Sequence, residues 1–323
     1  MSRAPVSSSN QYAGTRPPFG LPDVLILLAV LIWGVNTSIV KATLAVMHPM
    51  VFNALRFSLS SVVMLLISRL QRQSLALPRE DRRRTFPIMV VGVLLYQLLF
   101  VFGLSRTTAG NTSVLLATIP IFIALYWGLI RRQRLPALIW AGAVLTFSGV
   151  AMLTLGSGET FRSGSSSLIG DGLILLAAVC WAAYTIGSQS LLERHSPTKI
   201  TTLSMLFAAP ALDLIALPQL LRTDWGAIPW PAWAGLLFSA VFSIALSYLF
   251  WNTGVQYMGS ARATAYSNLT PIISLITAWI ALGERLNVVQ MTGAAVVLVG
   301  IWLVRFDPRL RRQKRPAASA ASE

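Results

Sequence analysis

The chain has 323 residues, of which 55% are hydrophobic and only 11% are charged. Soluble domains carry about 25% charged residues, so this composition excludes an ordinary water-facing surface. A membrane-spanning helix needs about 20 apolar residues, and such runs follow one another along almost the whole sequence. We therefore expect an integral membrane protein without a separate soluble domain.

The formal net charge of +15 could suggest a nucleic-acid partner. Membrane proteins collect basic residues in cytoplasmic loops for reasons of insertion, and we favour that explanation and expect no nucleic acid. Cys180 is the only cysteine and lies in an apolar run, which excludes an internal disulfide and a cysteine metal cluster. The polar first 20 residues lack the apolar core of a signal peptide, so the first apolar run should remain as a helix.

Ten apolar runs predict ten transmembrane helices in an all-α fold. Helices satisfy their own backbone groups in lipid, whereas barrel strands would need short alternating segments that the sequence lacks. The predicted spans are 24–46, 50–70, 87–105, 111–130, 136–155, 170–192, 199–221, 232–252, 263–282 and 288–305.

The basic residues predict the orientation of these spans. With the N-terminus inside, 20 of the 26 Lys and Arg residues fall in inner segments and five in outer segments, while Arg56 lies within a span. This bias predicts a multi-pass protein of the cell (inner) membrane with both termini in the cytoplasm.

An internal repeat relates the two halves of the chain. The stretch GERLNVVQMTGAAVVLVG at 283–300 shares its skeleton with RQRLPALIWAGAVLTFSG at 132–149, and Trp33 and Trp181 occupy matching positions in another pair. Each half holds five spans, so the second half enters the membrane upside down, as in many secondary transporters. The predicted parts are a cytoplasmic tail (1–21), a first repeat (22–155), an outer linker (156–168), a second repeat (169–305) and a basic cytoplasmic tail (306–323).

Several motifs give the repeat a family likeness. IWGVNTSIVKATL followed by HPMVFNALRF, then PIFIALYWG, then the ending GERL and GAAVVLVG are the stretches concerned. With these the chain resembles the drug/metabolite transporter superfamily, and within it the EamA-like ten-helix exporters. The resemblance implies export of small molecules. The family often has an acid after the glycine in both halves, whereas this chain has Gln133 in the first and Glu284 in the second.

Tryptophan and polar positions suggest where a substrate site lies. Eight of the ten tryptophans, Trp251 among them, fall near span ends, as expected for an interfacial belt. Trp33 and Trp181 fall in mid-span, where they either pack between helices or face a central cavity. Polar residues at helical spacing beside them favour the cavity. The candidate lining residues are Trp33, Asn36, Thr37, Lys41, Arg56, Tyr96, Trp181, Tyr184, Tyr248, Asn252, Tyr266 and Asn268.

Arg56 is the most informative of these candidates. An arginine at the centre of a span costs about 3 kcal/mol on insertion scales and generally faces a cavity or a partner. One hypothesis is that Arg56 and Lys41 attract an anionic substrate group, such as a carboxylate. The other is that Arg56 pairs with Asp213 or a backbone carbonyl. Asp213, the only acid deep in a span, is in turn a candidate either for carrying a coupling proton or for an ion pair.

Proline and glycine positions add two further expectations. Pro120 and Pro271 interrupt the fourth span of each half and predict either a hinge or a static kink. Glycines seven residues apart in the fifth span of each half predict close helix contact, within the protomer or in a homodimer.

Together these features favour a secondary transporter of small organic metabolites, first of all amino acids or related compounds. No phosphate-binding loop, zinc-protease motif or cofactor signature occurs, so we expect neither an enzyme nor a bound metal or cofactor. The alternatives are an intramembrane enzyme or lipid-handling protein, which would need clustered nucleophiles or ligands, and a membrane scaffold.

Overall fold

The computed structural model describes residues 20–130, 132, 137–155, 166–259, 263–264, 266–267 and 269–305. These residues form helices and no strand, as expected for a backbone that lacks water. Seven helices are long and apolar enough to cross a membrane, and three of the helices described are shorter and apolar. The segments are α1 Leu21–Leu44, α2 Pro49–Leu70, α3 Arg79–Arg106, α4 Ala109–Ile130, α5 Ala137–Leu155, α6 Ser166–Leu192, α7 Pro197–Arg222, α8 Trp230–Met258, α9 Leu269–Leu282 and α10 Val288–Arg305.

Some helices begin earlier than the hydropathy predicts. The third begins at Arg79 rather than near residue 87, because its polar first turn is held by contacts with the α6–α7 connection. The buried Asp81 carboxylate lies 2.9 Å from Arg194 and 2.8 Å from His195. The sixth begins at Ser166, within the segment predicted as a linker. In the third helix, a polar first turn with tertiary partners therefore extends the helix beyond its apolar core.

Helix packing shows that the two halves are related by a two-fold. In the first half α1 packs against α8 and α9, and in the second half α6 packs correspondingly against α3 and α4. The pairs α2–α7 and α5–α10 join equivalent helices of the two halves. Because each half has five spans, this pattern confirms the predicted architecture of two inverted five-helix repeats.

Two glycine contacts show the same relation at single residues. A Cβ at Gly103 would lie under 3.0 Å from the side chain of Ile174, and a Cβ at Gly254 would also lie under 3.0 Å from the side chain of Ile26. Gly103 corresponds to Gly254 in the repeat, as Ile26 corresponds to Ile174. The close packing of α3 on α6 is thus repeated by that of α8 on α1.

The glycine faces of α5 and α10 meet each other. A Cβ at Gly149 would lie 2.7 Å from the carbonyl oxygen of Gly293, and one at Gly300 would lie 2.7 Å from that of Gly142. Small residues let the two backbones approach, as in other membrane helix pairs. The predicted close contact therefore occurs within the protomer, and a homodimer stays a prediction.

Irregular turns interrupt the helices that surround the centre. Both α3 and α8 contain a π-helical segment, Val90–Leu95 and Ser239–Leu246 respectively, at matching positions of the repeat. The regular helix of α4 breaks at 117–118. Wide turns of this kind change the backbone hydrogen-bond pattern and are frequent at functional sites.

Candidate substrate site

A central cavity of about 790 Å³, counting its open part, lies where the two halves meet. Its walls come from α1 to α4 of the first half and from α6, α8 and the start of α9 in the second. The lining residues are Trp33, Asn36, Thr37, Arg56, Tyr96, Gln97, Phe100, Ser113, Leu116, Ala117, Ile119, Trp181, Ser243, Ile244, Tyr248, Trp251, Thr264, Ser267, Thr270 and Pro271.

Aromatic rings form one wall of this cavity. The ring centroids of Trp33 and Trp181 lie 5.5 Å apart, with the planes at 89°. Trp251 lies 5.5 Å from Trp33, and Tyr248 lies 5.1 Å from Trp181. The pairs of Trp181 with Trp33 and with Tyr248 are edge-to-face, a favourable arrangement of aromatic rings. The indole N–H of Trp33 donates to the carbonyl of Ser243 at 3.0 Å, which holds the ring against the π-helical segment of α8.

Arg56 forms the polar part of the wall with neutral partners from three helices. Its Nε and Nη2 atoms donate to Asn53 Oδ1 at 3.0 and 2.8 Å, and its Nη1 donates to Ser239 Oγ at 3.2 Å. Nη2 also donates to Gln97 Oε1. Gln97 in turn donates through Nε2 to the Tyr248 hydroxyl at 2.9 Å. The guanidinium thus links α2 and α3 of the first half to α8 of the second.

Local sequence explains how this cluster forms. Asn53, Arg56 and Ser60 follow helical spacing, so they share the face of α2 that meets α8. Ser60 donates to the carbonyl of Ala240 at 2.8 Å, and Ala240 lies in the π-helical segment of α8. The wide turn therefore presents both a hydroxyl and a carbonyl group to one face of α2.

The positive charge of Arg56 is not neutralised by an acid. The side chain is only 1% exposed, and among the described residues no carboxylate lies within 4.0 Å of its guanidinium. Asp213, the proposed partner, instead accepts a hydrogen bond from Ser58 at 2.7 Å and does not line the cavity. The guanidinium carbon lies 4.9 Å from the ring centre of Phe52, a contact that stabilises a cation only partly. An uncompensated buried charge is costly, which favours a ligand of opposite charge.

The structure places most of the predicted site residues either in the cavity wall or directly behind it. Trp33, Asn36, Thr37, Arg56, Tyr96, Trp181 and Tyr248 line the cavity. Tyr184 and Asn252 lie behind the wall, where Asn252 Nδ2 donates to the Tyr184 hydroxyl at 3.0 Å and to Thr201 Oγ1 at 2.9 Å. Asn268 lies outside the described residues.

Lys41 and Tyr266 lie near opposite ends of the bundle rather than in the cavity wall. Lys41 Nζ donates to the carbonyls of Leu104 and Thr107 at 3.0 and 2.6 Å, because it occupies the last turn of α1 beside the end of α3. Tyr266 donates to Asp23 Oδ1 at 2.6 Å. Both residues connect segments of the bundle, and within the described part of the lining the positive charge comes from Arg56.

The two prolines differ in their relation to the cavity. Pro271 lies in the first turn of α9 and lines the cavity, whereas at Pro120 the lining residue is its neighbour Ile119. The regular helix is interrupted at 117–118, just before Pro120, so the irregular turn of α4 borders the site. The hinge role of both prolines stays a prediction.

One contact between the two halves joins the end of α9 to the start of α4. Gly283, with a φ of 66°, ends α9 and turns Glu284 toward α4. The Glu284 carboxylate accepts hydrogen bonds from the backbone N–H groups of Ala109 and Gly110, both at 3.0 Å. Glu284 therefore caps the first turn of α4, where a negative charge is favoured by the helix dipole.

Two buried acids were missed in the sequence although the repeat identifies them. Asp23 and Asp171 occupy matching positions in α1 and α6 and are 4% and 2% exposed. Asp23 accepts from Tyr266 at 2.6 Å, and Asp171 accepts from Thr107 Oγ1 at 2.6 Å. Each acid thus joins its half to the connection between the third and fourth spans of the other half. Asp23 precedes Trp33 by the same number of residues as Asp171 precedes Trp181, and this repetition was the sequence signal that could have identified the two acids.

Trp251 corrects the assignment of the tryptophans. We placed it in the interfacial belt, but α8 continues to Met258, so Trp251 lies well inside the helix and is 1% exposed. By contrast, Trp127, Trp140, Trp225, Trp230, Trp279 and Trp302 are exposed on the protein surface, as the belt requires.

Comparison with known proteins identifies the family. The model of the EamA-like transporter family matches residues 20–155 and, a second time, residues 168–306. The chain belongs to this family. It is a transporter rather than an enzyme, a multi-pass membrane protein of the drug/metabolite transporter superfamily, and its two repeats are the two matched units.

Its relatives are transporters by name. The chain is 28% identical over 273 residues to the uncharacterized transporter YyaM of Bacillus subtilis, covering 83% of this chain and 88% of that one. It is 26% identical over 277 residues to a protein of Streptantibioticus cattleyicolor named "Probable terminal-alkyne amino-acid exporter", covering 81% of this chain and 91% of the relative. A solved crystal structure matches with a TM-score of 0.64 at 17% identity, over 88% of this chain and 98% of that chain, which shows the fold alone.

Proposed function

We propose that this EamA-like transporter exports small organic metabolites, in the first place amino acids or related compounds, by alternating access of its two inverted halves. The observation that carries the proposal is the central cavity, whose walls come from both halves and contain an uncompensated guanidinium. The name of the Streptantibioticus cattleyicolor relative favours the same substrate class. We place both termini in the cytoplasm of the cell membrane, because the basic residues lie on that side.

Alternating access requires the contacts between the halves to separate at one end at a time. Ser38 on α1 and Thr277 on α9 have hydroxyl oxygens 3.2 Å apart. Near them Glu284 caps α4, and Asp171 contacts Thr107 on the same side of the bundle. These contacts belong to the end of the bundle opposite the start of α1 and the end of α10, and they must open for release on that side.

Counterflow in proteoliposomes tests the function. The purified protein, loaded with an unlabelled amino acid, is expected to accumulate the labelled compound, and a panel of amino acids, organic acids and amines identifies the substrate. Absence of uptake for the whole panel would contradict the proposed function. Membrane vesicles of known sidedness then test the direction, which should be outward.

A reversible cross-link tests alternating access itself. In a Cys180→Ser background, the double variant Ser38→Cys, Thr277→Cys should lose counterflow on oxidation and regain it on reduction. The two single cysteine variants are the matched controls and should stay active under oxidation. Full activity of the oxidised, cross-linked protein would show that α1 and α9 need not separate.

A further inference from the structure

We propose that the cavity recognises a zwitterionic amino-acid head group through Arg56 and Asn36, and that the remainder of the substrate is an uncharged, apolar or aromatic side chain. This inference rests on the proposed function and specifies its substrate. It assigns the carboxylate to Arg56, the amino group to Asn36 and the side chain to the aromatic wall.

The carboxylate position follows from the unused capacity of Arg56. A guanidinium has five N–H groups, and four of them donate to Asn53, Gln97 and Ser239. The fifth, on Nη1, has no acceptor among the described residues. All of its partners are neutral, so the full positive charge remains at the cavity wall. A carboxylate that accepts from Nη1 satisfies the free donor and neutralises the charge in one contact.

The amino position follows from an unpartnered acceptor. Asn36 is 4% exposed and lines the cavity, and its Oδ1 atom has no donor among the described residues. Asn36 lies eight residues before the end of α1, and Arg56 lies seven residues after the start of α2. At a rise of about 1.5 Å per residue the two side chains originate at nearly the same depth. A substrate whose carboxylate binds Arg56 therefore places its neighbouring ammonium group at the depth of Asn36, where it can donate to Asn36 Oδ1.

The side-chain position follows from the aromatic wall. Trp33 lies one turn before Asn36 in α1, further from the C-terminal end of that helix. Its ring packs edge-to-face on Trp181. The ring centroids of Tyr96 and Trp181 lie 5.0 Å apart. Among the lining residues that the structure describes, Arg56 is the only charged side chain, so this part of the wall offers no partner to a second acidic or basic group. The wall accordingly favours apolar or aromatic side chains.

Four related compounds separate the contributions of the two head-group charges. They are L-phenylalanine, L-phenylalaninamide without the anion, 3-phenylpropionate without the amine, and phenethylamine without the carboxylate. Binding to the full-length protein in nanodiscs is followed by fluorescence of the cavity tryptophans, and competition against counterflow is measured in parallel.

We expect the amide and phenethylamine to bind on the order of 10- to 100-fold more weakly than phenylalanine, because a charge-assisted hydrogen bond is lost. 3-Phenylpropionate should lose only several-fold. Arg56→Gln should make phenylalanine and its amide bind alike. Ser204→Ala, at the position of the second half that corresponds to Arg56, is the matched control and should leave the ratio unchanged.

Arg56→Lys guards against a variant that simply fails to fold, because it retains the charge and should still prefer the acid over the amide. Equal binding of acid and amide by the wild type, an unchanged ratio in Arg56→Gln, or a folded Arg56→Lys protein without the preference would each overturn the inference. Counterflow of other compounds without a carboxylate preference would leave the proposed function intact and remove only this assignment. No counterflow of any compound would remove both.

Discussion

The two halves of this transporter share a scaffold but differ in chemistry. The contact of Gly103 with Ile174 is repeated by that of Gly254 with Ile26, and both halves place a π-helical segment at the same position. At the polar centre, however, Arg56 of the first half corresponds to the uncharged Ser204 of the second, whose hydroxyl donates to the carbonyl of Ile200 at 2.9 Å. The two halves thus share a scaffold, while among the described lining residues the charged side chain comes from the first half.

The largest expected effect comes from removing that difference. Arg56→Ser gives the first half the residue of the second, and we expect kcat/KM for an amino-acid substrate to fall by roughly 100-fold, because the charged contact with its carboxylate is lost. Counterflow measures the rate, and thermal unfolding verifies that the variant is folded. Unimpaired turnover and affinity would show that Arg56 has a structural role only.

The scaffold should respond equally in both halves. Gly149→Ala and Gly300→Ala each bring a Cβ to 2.7 Å from a backbone carbonyl oxygen of the facing helix, so each should cost about 1–3 kcal/mol of unfolding free energy. Gly172→Ala, where a Cβ has nothing within 4 Å, is the control and should be neutral or stabilising. Unfolding in SDS measures all three. A large difference between the first two would contradict the packing relation.

Removing the capping carboxylate of Glu284 should have a smaller effect, confined to the opening of one end of the bundle. Glu284→Ala removes the acceptor of the Ala109 and Gly110 N–H groups, a cap that contributes about 1 kcal/mol. The end opposite the termini should open more often, so a cysteine at Ser113 should be labelled about fivefold faster from that side in a Cys180→Ser background. Gln133→Ala, the neutral counterpart, should change labelling from the other side less. Unchanged labelling in Glu284→Ala would exclude Glu284 from this closure.

The smallest expected effect concerns Trp251. Its buried Nε1 has no acceptor among the described residues although it lines the cavity. Trp251→Phe keeps most of the ring but removes the donor, so affinity should fall only a few-fold, and only for substrates with an acceptor at the far end of the side chain. Comparing L-tyrosine with L-phenylalanine in competition measures this difference. Equal losses for both would assign the effect to packing.

Much of the fold was predictable because its signals are local. Apolar runs gave the spans, and the matching stretches at 132–149 and 283–300 gave the inverted repeat. Ends of helices were less predictable, as at Arg79 and Ser166. At Arg79 the reason is that the polar first turn depends on tertiary partners of Asp81.

The site was predictable only in part for a related reason. Mid-span Trp33, Trp181 and Arg56 stand out in an apolar sequence, and they do line one cavity. Helical spacing alone could not separate Tyr248, which lines it, from Asn252, which lies one turn further along α8 and binds Tyr184 instead. Nor could it show that Trp251 is buried, since α8 extends beyond its most apolar segment.

The amino-acid sequence by itself determined a membrane protein of two inverted five-helix halves, because composition, span length and internal repetition can all be read from the linear order of the residues. Only the tertiary structure decided that Asp213 binds Ser58 rather than Arg56, that the glycine faces of α5 and α10 pack on each other, and that Glu284 caps α4. These outcomes depend on the rotation and depth of helices distant in sequence, and packing between helices sets both.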